Sequence, residues 1–184
     1  MKLCKVCKTK FTPMLSTARV CSPFCALTLA RSVRGKAEKV AQVKERREDK
    51  VKREKLKSRS DWIREAQTSL NAWVRARDAG QPCICCGRFS SGATTGGDWD
   101  AGHYRSRGSA PHLRFDERNV HAQLKQCNRY DSGNVVGYRM GLIAKLGLEA
   151  VEALEADQRP RKYSIDELKA IKADYAQRVR ELRE

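Results

Sequence analysis

Between residues 83 and 134 the chain collects the residue types that phosphodiester hydrolysis requires. Cys83-Ile84-Cys85-Cys86-Gly87 opens the stretch, and Asp98-Trp99-Asp100-Ala101-Gly102-His103-Tyr104 follows. Then come Asn119-Val120-His121, Cys127-Asn128 and Ser132-Gly133-Asn134. The reaction needs a deprotonated water, and it needs the added charge on phosphorus and the leaving oxygen to be stabilised. A histidine near its ordinary pKa can take the water's proton at neutral pH. A divalent cation on a carboxylate and an amide or imidazole can do the rest. All three histidines of the chain (His103, His112 and His121) lie in this stretch.

Several of these residues also have a plainer reading. Asp98 and Asp100 follow a glycine-rich run, Ser90-Ser91-Gly92-Ala93-Thr94-Thr95-Gly96-Gly97, so turn chemistry could explain either one. That reading suits Asp98, whereas Asp100 is the better metal candidate. His121 would contact phosphate or the ion, or else fill the domain as a hydrogen-bonded core residue. His112, beside Pro111, reads as a surface loop residue. Arg105, Arg107, Arg114, Arg118 and Arg129 surround the cluster; their forked donors suit phosphate, though each alone could be a surface charge.

A second set of chemical residues lies at the N-terminus. Cys4-x2-Cys7 and Cys21-x3-Cys25 have the spacing of two tight turns, each giving two sulfurs to one tetrahedral zinc. Four incidental thiols are the alternative. A finger this small would not fold without its ion.

The elements that must position these groups are mostly helical. Ser22-Pro23 can start a helix beyond the second pair. Residues 31–59 hold thirteen Lys/Arg against five Asp/Glu, a balance of 13 − 5 = +8, half the net charge of the chain. The run favours helix but is too sparse in apolar residues for a core-facing stripe, so it reads as a solvated spacer or a phosphate-contacting arm. Ser60-Asp61 can cap a helix from Trp62 to Ala79, closed by Gly80. Its Trp62, Ala66, Leu70, Trp73 and Val74 share one face. That is a packing stripe, with base stacking the alternative for the two tryptophans. Further helices are expected over Asn134–Lys145 and Leu148–Ala156. A last one, opened by the capping box Ser164-Ile165-Asp166-Glu167, should run to about Leu182 and dock on the domain or on a twin subunit.

With 184 residues, the chain can hold one modest domain plus appendages or two small ones. Its net charge of +16 predicts a polyanionic partner, by default nucleic acid. No apolar run of membrane-spanning length, interfacial amphipathic stripe or signal-peptide core is present. The expectation is a protein with no membrane association, in the cytoplasm, where its eight cysteines serve as metal ligands or free thiols.

The central stretch resembles the HNH, or ββα-metal, nuclease core. Its Cys127-Asn128, where that pattern has Cys-His, is similar to phage endonuclease VII. The whole layout resembles the lambdoid phage NinG (Rap) recombination nucleases. The finger, the basic linker and Cys83-x2-Cys86-Gly87 all take part in this likeness. So do Trp99 to Tyr104, Leu113-Arg114-Phe115, Asn119-x-His121-x-Gln123, Cys127-Asn128 and Ser132-Gly133-Asn134. The resemblance implies cleavage of branched DNA, such as Holliday junctions and D-loops, in phage recombination within a bacterial host. It implies His103 as general base, Asn119 as the residue holding the base's loop, and Asn128 as a metal ligand. One departure is Gly102, which stands where many such cores have a metal-binding Asp. Asp100, two residues back on the same strand face, is the expected substitute. A second departure is Leu124, where the family repeats Cys-x-x-Cys. A second zinc would therefore have only Cys83, Cys86 and Cys127, since Cys85 adjoins Cys86 in poor geometry. A water or a histidine would complete that site, or Leu124 would pack apolarly in its place.

The expected fold is α+β and mostly helical. It comprises a Cys4 zinc finger (1–30), a basic helical arm (31–59) and an HNH-like nuclease domain with C-terminal helices (60–184). The expected activity is Mg²⁺- or Mn²⁺-dependent cleavage of branched DNA, with His103, Asn119 and His121 as catalytic residues and Asp100 and Asn128 holding the ion. Junction resolution needs two opposed cuts, so a homodimer is expected, with phage or host recombination proteins as further partners. A non-catalytic zinc protein that binds nucleic acid through a degenerate core is the alternative.

Overall fold

The computed structural model describes residues 1–90 and 97–184, so most of the glycine-rich run before Asp98 lies outside the described residues. The chain divides into two compact units, Met1–Lys57 and Ser58–Glu184.

In the first unit, β1 (Lys2–Leu3) and β2 (Lys10–Phe11) form a small antiparallel ribbon. Helix α1 then runs unbroken from Pro23 to Lys55, so the helix leaving the finger and the basic arm are one element. Ser22 caps it, its side chain accepting from the Cys25 N–H at 3.3 Å, with Pro23 in the first turn, where a missing N–H costs nothing. Of its thirty-three residues only Cys25 is buried. Exposed i,i+4 and i,i+3 pairs such as Arg34–Glu38 and Lys52–Asp49 decorate the shaft, as expected of a helix held by propensity and solvation.

The second unit is framed by two helices, α2 (Arg59–Arg77) and α5 (Ile165–Glu181). The α2 cap is Ser58, not the expected Ser60-Asp61. The Ser58 side chain accepts from the Asp61 N–H at 3.3 Å, and Asp61 returns a carboxylate to the Ser58 N–H at 2.9 Å. This reciprocal box satisfies two orphan donors, which a start at Trp62 would not. α5 opens with the capping box at Ser164 and Glu167 and docks on α2. Trp62, Ala66, Leu70, Trp73 and Val74 pack with Leu168 and Tyr175, and the Trp73 and Tyr175 rings lie 5.1 Å apart. Both tryptophans are therefore core residues and cannot reach a base, while Leu182, the expected end of the last helix, is its exposed C-cap.

Against this pair lies an antiparallel ribbon of β3 (Trp99–His103) and β4 (Val120–Leu124), in a register pairing Asp100 with Gln123 and Gly102 with His121. Alternation places Asp100, Gly102, His121 and Gln123 on one face, and Trp99, Ala101, His103, Val120 and Ala122 on the other. Helices α3 (Val135–Leu146) and α4 (Leu148–Ala156) complete the unit. α3 approaches the cysteine turn through Gly137 and Gly141; a Cβ there would sit 2.3 Å from the Cys85 carbonyl and 1.8 Å from that of Ile84. The Tyr138 hydroxyl accepts from the His121 N–H at 3.0 Å and donates to the Gly102 carbonyl at 2.8 Å, bridging the strands. Cys127 and Asn128, which a ββα core would carry on its helix, lie on a single π-type turn, Gln126–Tyr130. Left-handed backbone at Ser132, Gly133 and Asn134 separates it from α3.

Candidate metal centres and catalytic site

Two groups of four cysteines have sulfurs that all lie within 4.8 Å of one another: Cys4, Cys7, Cys21 and Cys25, and Cys83, Cys85, Cys86 and Cys127. Four sulfurs at roughly 2.3 Å from a tetrahedral zinc are about 3.8 Å apart. The contacts Cys21–Cys25 at 3.8 Å, Cys7–Cys21 at 3.4 Å and Cys83–Cys85 at 3.4 Å are close to that spacing. Both clusters could hold a metal such as zinc.

The second cluster corrects the expected three-sulfur set. Cys85 belongs to it, so neither a water nor a histidine is needed for a fourth ligand. The turn makes this possible: Gly87 donates to the Cys83 carbonyl at 2.9 Å and takes a φ of 69°, curling the backbone so that adjacent cysteines face the same centre. Each sulfur also meets a donor. Leu124 N–H reaches Cys83 at 3.2 Å, Gln123 Nε2 reaches Cys85 at 3.3 Å, and Arg88 reaches Cys86 at 3.4 Å and Cys127 at 3.9 Å. Such donors stabilise thiolates and orient them. Burial raises the Cys86 thiol, yet the Arg88 contact outweighs it and brings the group down to about 7. Leu124 gives the cluster its backbone N–H, and its side chain packs apolarly against the core that contains Cys83, Cys127 and Tyr138.

The candidate catalytic residues come together only in part. Asp100 on β3 and Asn128 on the π-type turn meet, Asn128 Nδ2 donating to Asp100 Oδ2 at 2.9 Å. Arg129 closes on the same carboxylate in a forked pair at 2.7 and 2.8 Å. Burial opposes ionisation of Asp100, but the bonds from Arg129 and Asn128 prevail and hold it below the usual carboxylate range. A cation at Asp100 must displace Arg129. Asp98, for which turn chemistry was the expected explanation, is buried and receives the Ser90 hydroxyl.

His103 lies on the reverse face of β3, so it does not share an open space with Asp100 and Asn128, contrary to expectation. Its Nε2 is 3.1 Å from the Arg114 carbonyl. A carbonyl only accepts, which assigns the proton to Nε2, and the Ala101 carbonyl also faces the ring. Burial, reinforced by Arg107 and Arg114, lowers the ring to about 4, so it is neutral at physiological pH.

Asn119 is fully buried, and its amide is spent on backbone. It accepts from the Arg105 N–H at 2.8 Å and donates to the carbonyls of Arg105 at 3.0 Å and Leu113 at 3.1 Å. It thus pins the loop that carries Arg114 and cannot itself touch substrate. His121 is buried with its ring edge toward Tyr138, in a hollow lined by Arg77, Asp78 and Lys145. It is a core position on the ribbon face that carries Asp100, and its Nδ1 has no hydrogen-bond partner among the described residues. His112 is also inside, its Nε2 2.9 Å from the Asp157 carbonyl, which corrects the surface reading. Of the arginines expected to hold DNA, Arg105 is occupied by the carbonyls of Leu154, Glu155 and Asp157, and Arg118 is paired with Asp116. Arg107 and Arg114 remain beside His103.

Three residues that composition and spacing did not single out matter here: Cys85, Arg88 and Gln123. The period-2 pattern His121-x-Gln123 could have placed Gln123 on the Asp100 face.

Among known proteins, the family described as Bacteriophage Lambda NinG protein matches residues 1–184. Protein ninG of Escherichia phage 933W is 44% identical over 191 residues, covering 98% of this chain and 92% of its own. Protein ninG of Salmonella phage P22 is 43% identical over 189 residues, with 97% and 91% covered. That of Escherichia phage lambda is 43% identical over 188 residues, with 96% and 90% covered. No solved structure matches.

Proposed function

The chain belongs to the bacteriophage NinG family, and from that premise we propose that it is a metal-dependent endonuclease acting on branched DNA such as Holliday junctions and D-loops. The observation that carries this reading is the meeting of Asp100 and Asn128 in a chain of net charge +16. An ionised carboxylate beside an amide offers two hard oxygens to Mg²⁺ or Mn²⁺ once the Asn128 amide, which now turns Nδ2 to Asp100, rotates to present Oδ1. A divalent ion held there would supply Lewis-acid stabilisation of the charge that develops on the phosphate and its leaving oxygen. Arg129, freed from Asp100, would pair with phosphate.

His103 fits this scheme if the scissile phosphodiester crosses the outer edge of β3, with Asp100 on one side and the imidazole on the other. Nδ1 then takes the proton of the attacking water as its oxygen bonds to phosphorus and the P–O3′ bond breaks. Asn119 holds the loop whose Arg114 carbonyl fixes the ring. Arg107 and Arg114 draw in the backbone, and α1 adds phosphate contacts. Two opposed cuts call for two copies of the chain, so the working unit is a homodimer.

A second reading, a non-catalytic DNA-binding protein, draws support from the placement of His103 and Asp100 on opposite faces. A four-way-junction digest with Mg²⁺, with and without chelator, separates the two. The nuclease reading expects cleavage by the wild type and its loss in His103→Ala, with junction binding retained. If the zinc-loaded protein binds junctions but cuts no DNA of any shape in Mg²⁺ or Mn²⁺, the binding reading replaces it.

A further inference from the structure

Gly102 stands where a carboxylate would be expected, and the space beside it is filled from the opposite strand. A Cβ on Gly102 would lie 2.1 Å from Gln123 Oε1. Gln123 is fully buried, and this Oε1 has no hydrogen-bond partner among the described residues. Leaving a buried amide oxygen unpaired is costly, so the atom needs a reason for its position. An amide flip does not remove the problem. Nε2 donates to the Gly133 carbonyl at 2.7 Å and to Cys85 at 3.3 Å, and a flipped amide would set oxygen against oxygen at Gly133. Gln123 is also the cross-strand partner of Asp100 and projects on the same face.

We propose that Gln123 Oε1 is a further oxygen ligand of the divalent ion held by Asp100 and Asn128, taking the place that Gly102 leaves open on the neighbouring strand. A side-chain amide oxygen is an ordinary ligand for a hard cation, and a neutral one leaves room for the charge of the bound phosphate. Gly102 is then required because any larger residue would expel the amide. The two Nε2 contacts make Gln123 a strut between the ion and the second cysteine cluster, so the thiolate of Cys85 helps to aim it. The inference rests on the metal site proposed above and names a ligand which that reading does not need.

The test is Mn²⁺ binding to the full-length, zinc-loaded protein, read from the spectrum of free Mn²⁺, with zinc content and thermal melting as controls for folding. Gln123→Ala is expected to weaken Mn²⁺ at least about tenfold, as is usual for loss of a ligand or its support. Gly102→Ala should weaken it similarly, and adding it to Gln123→Ala should cost little more, because both act through the same oxygen. Gln123→Met, which keeps the length and volume of the side chain but has no hard oxygen, should weaken Mn²⁺ similarly. A folded Gln123→Ala with unchanged affinity overturns the proposal; where that variant does not fold, unchanged affinity in Gln123→Met does so. Junction cleavage by the wild type is measured alongside. Cleavage together with unaltered Mn²⁺ affinity in the variants removes Gln123 alone, whereas a wild type that neither binds Mn²⁺ nor cuts removes the site and the inference together.

Discussion

The two cysteine clusters offer the same four sulfurs to an ion in opposite surroundings. Around Cys4, Cys7, Cys21 and Cys25 there is a two-residue ribbon and the start of α1, and the only buried residues of that unit are two of the cysteines themselves. Cys83, Cys85, Cys86 and Cys127 are embedded among Tyr138, Leu142 and Val151, with α3 seated directly on their turn. In the first case an ion would substitute for a core. In the second a core already exists, and an ion would orient what surrounds it. The same ligand set therefore serves different links in the chain from sequence to function: folding in one unit, site geometry in the other.

The sharpest way to break that contrast is to take metal away. Structural zinc in peptides of finger size contributes about 10–16 kcal/mol, all of it folding energy. Chelation is expected to abolish amide protection throughout Lys2–Phe11, while the amides of α2 and α5 stay protected. Hydrogen exchange followed by mass spectrometry reads both regions in one sample. Equal loss in both would show that the second unit also depends on its ion to fold.

A smaller effect tests the core itself. Gly141→Ala places a methyl 1.8 Å from the Ile84 carbonyl, backbone that cannot rotate aside. The helix must shift, at a cost of about 1–3 kcal/mol, visible as a lower urea midpoint for the second unit with the finger unaffected. Gly35, in α1, has nothing within 4 Å of its missing Cβ, so Gly35→Ala should instead be neutral or stabilising by up to about 1 kcal/mol.

This difference explains which features could be read from the sequence. The finger was legible because its four cysteines are paired locally and its α1 cap, Ser22-Pro23, is a nearest-neighbour signal. The α5 capping box and the Trp62–Val74 stripe were legible for the same reason. Cys85 was not, because whether two adjacent cysteines can face one centre depends on the left-handed Gly87 and on α3 pressing from the other side. The burial of His121 and His112 depends on Tyr138 and Asp157, seventeen and forty-five residues away in sequence. Strand alternation alone could have separated His103 from Asp100, since they stand three residues apart. The likeness to metal nucleases drew them together where the pleat sets them on opposite faces.

Arg88 gives the narrowest test of the comparison. It is the one charged side chain among the described residues seen to hydrogen-bond to these sulfurs, touching Cys86 and Cys127, and the finger shows no arginine or lysine so placed. Four thiolates around a divalent ion carry a net charge of −2, which a guanidinium offsets in the buried cluster and which water must offset at the exposed Cys7 and Cys21. Arg88→Ala should therefore lower zinc affinity at the second cluster by roughly tenfold to a hundredfold and leave the finger's zinc in place. Competition with a chromophoric chelator would then release one zinc per chain early and the other late. The variant should also raise the Cys86 thiol, since Arg88 is what brings it down. Its advantage in zinc retention over the wild type should therefore be negative and should widen as pH falls through 7. Simultaneous release of both ions at every pH would mean that burial and the arginine do nothing to distinguish the clusters.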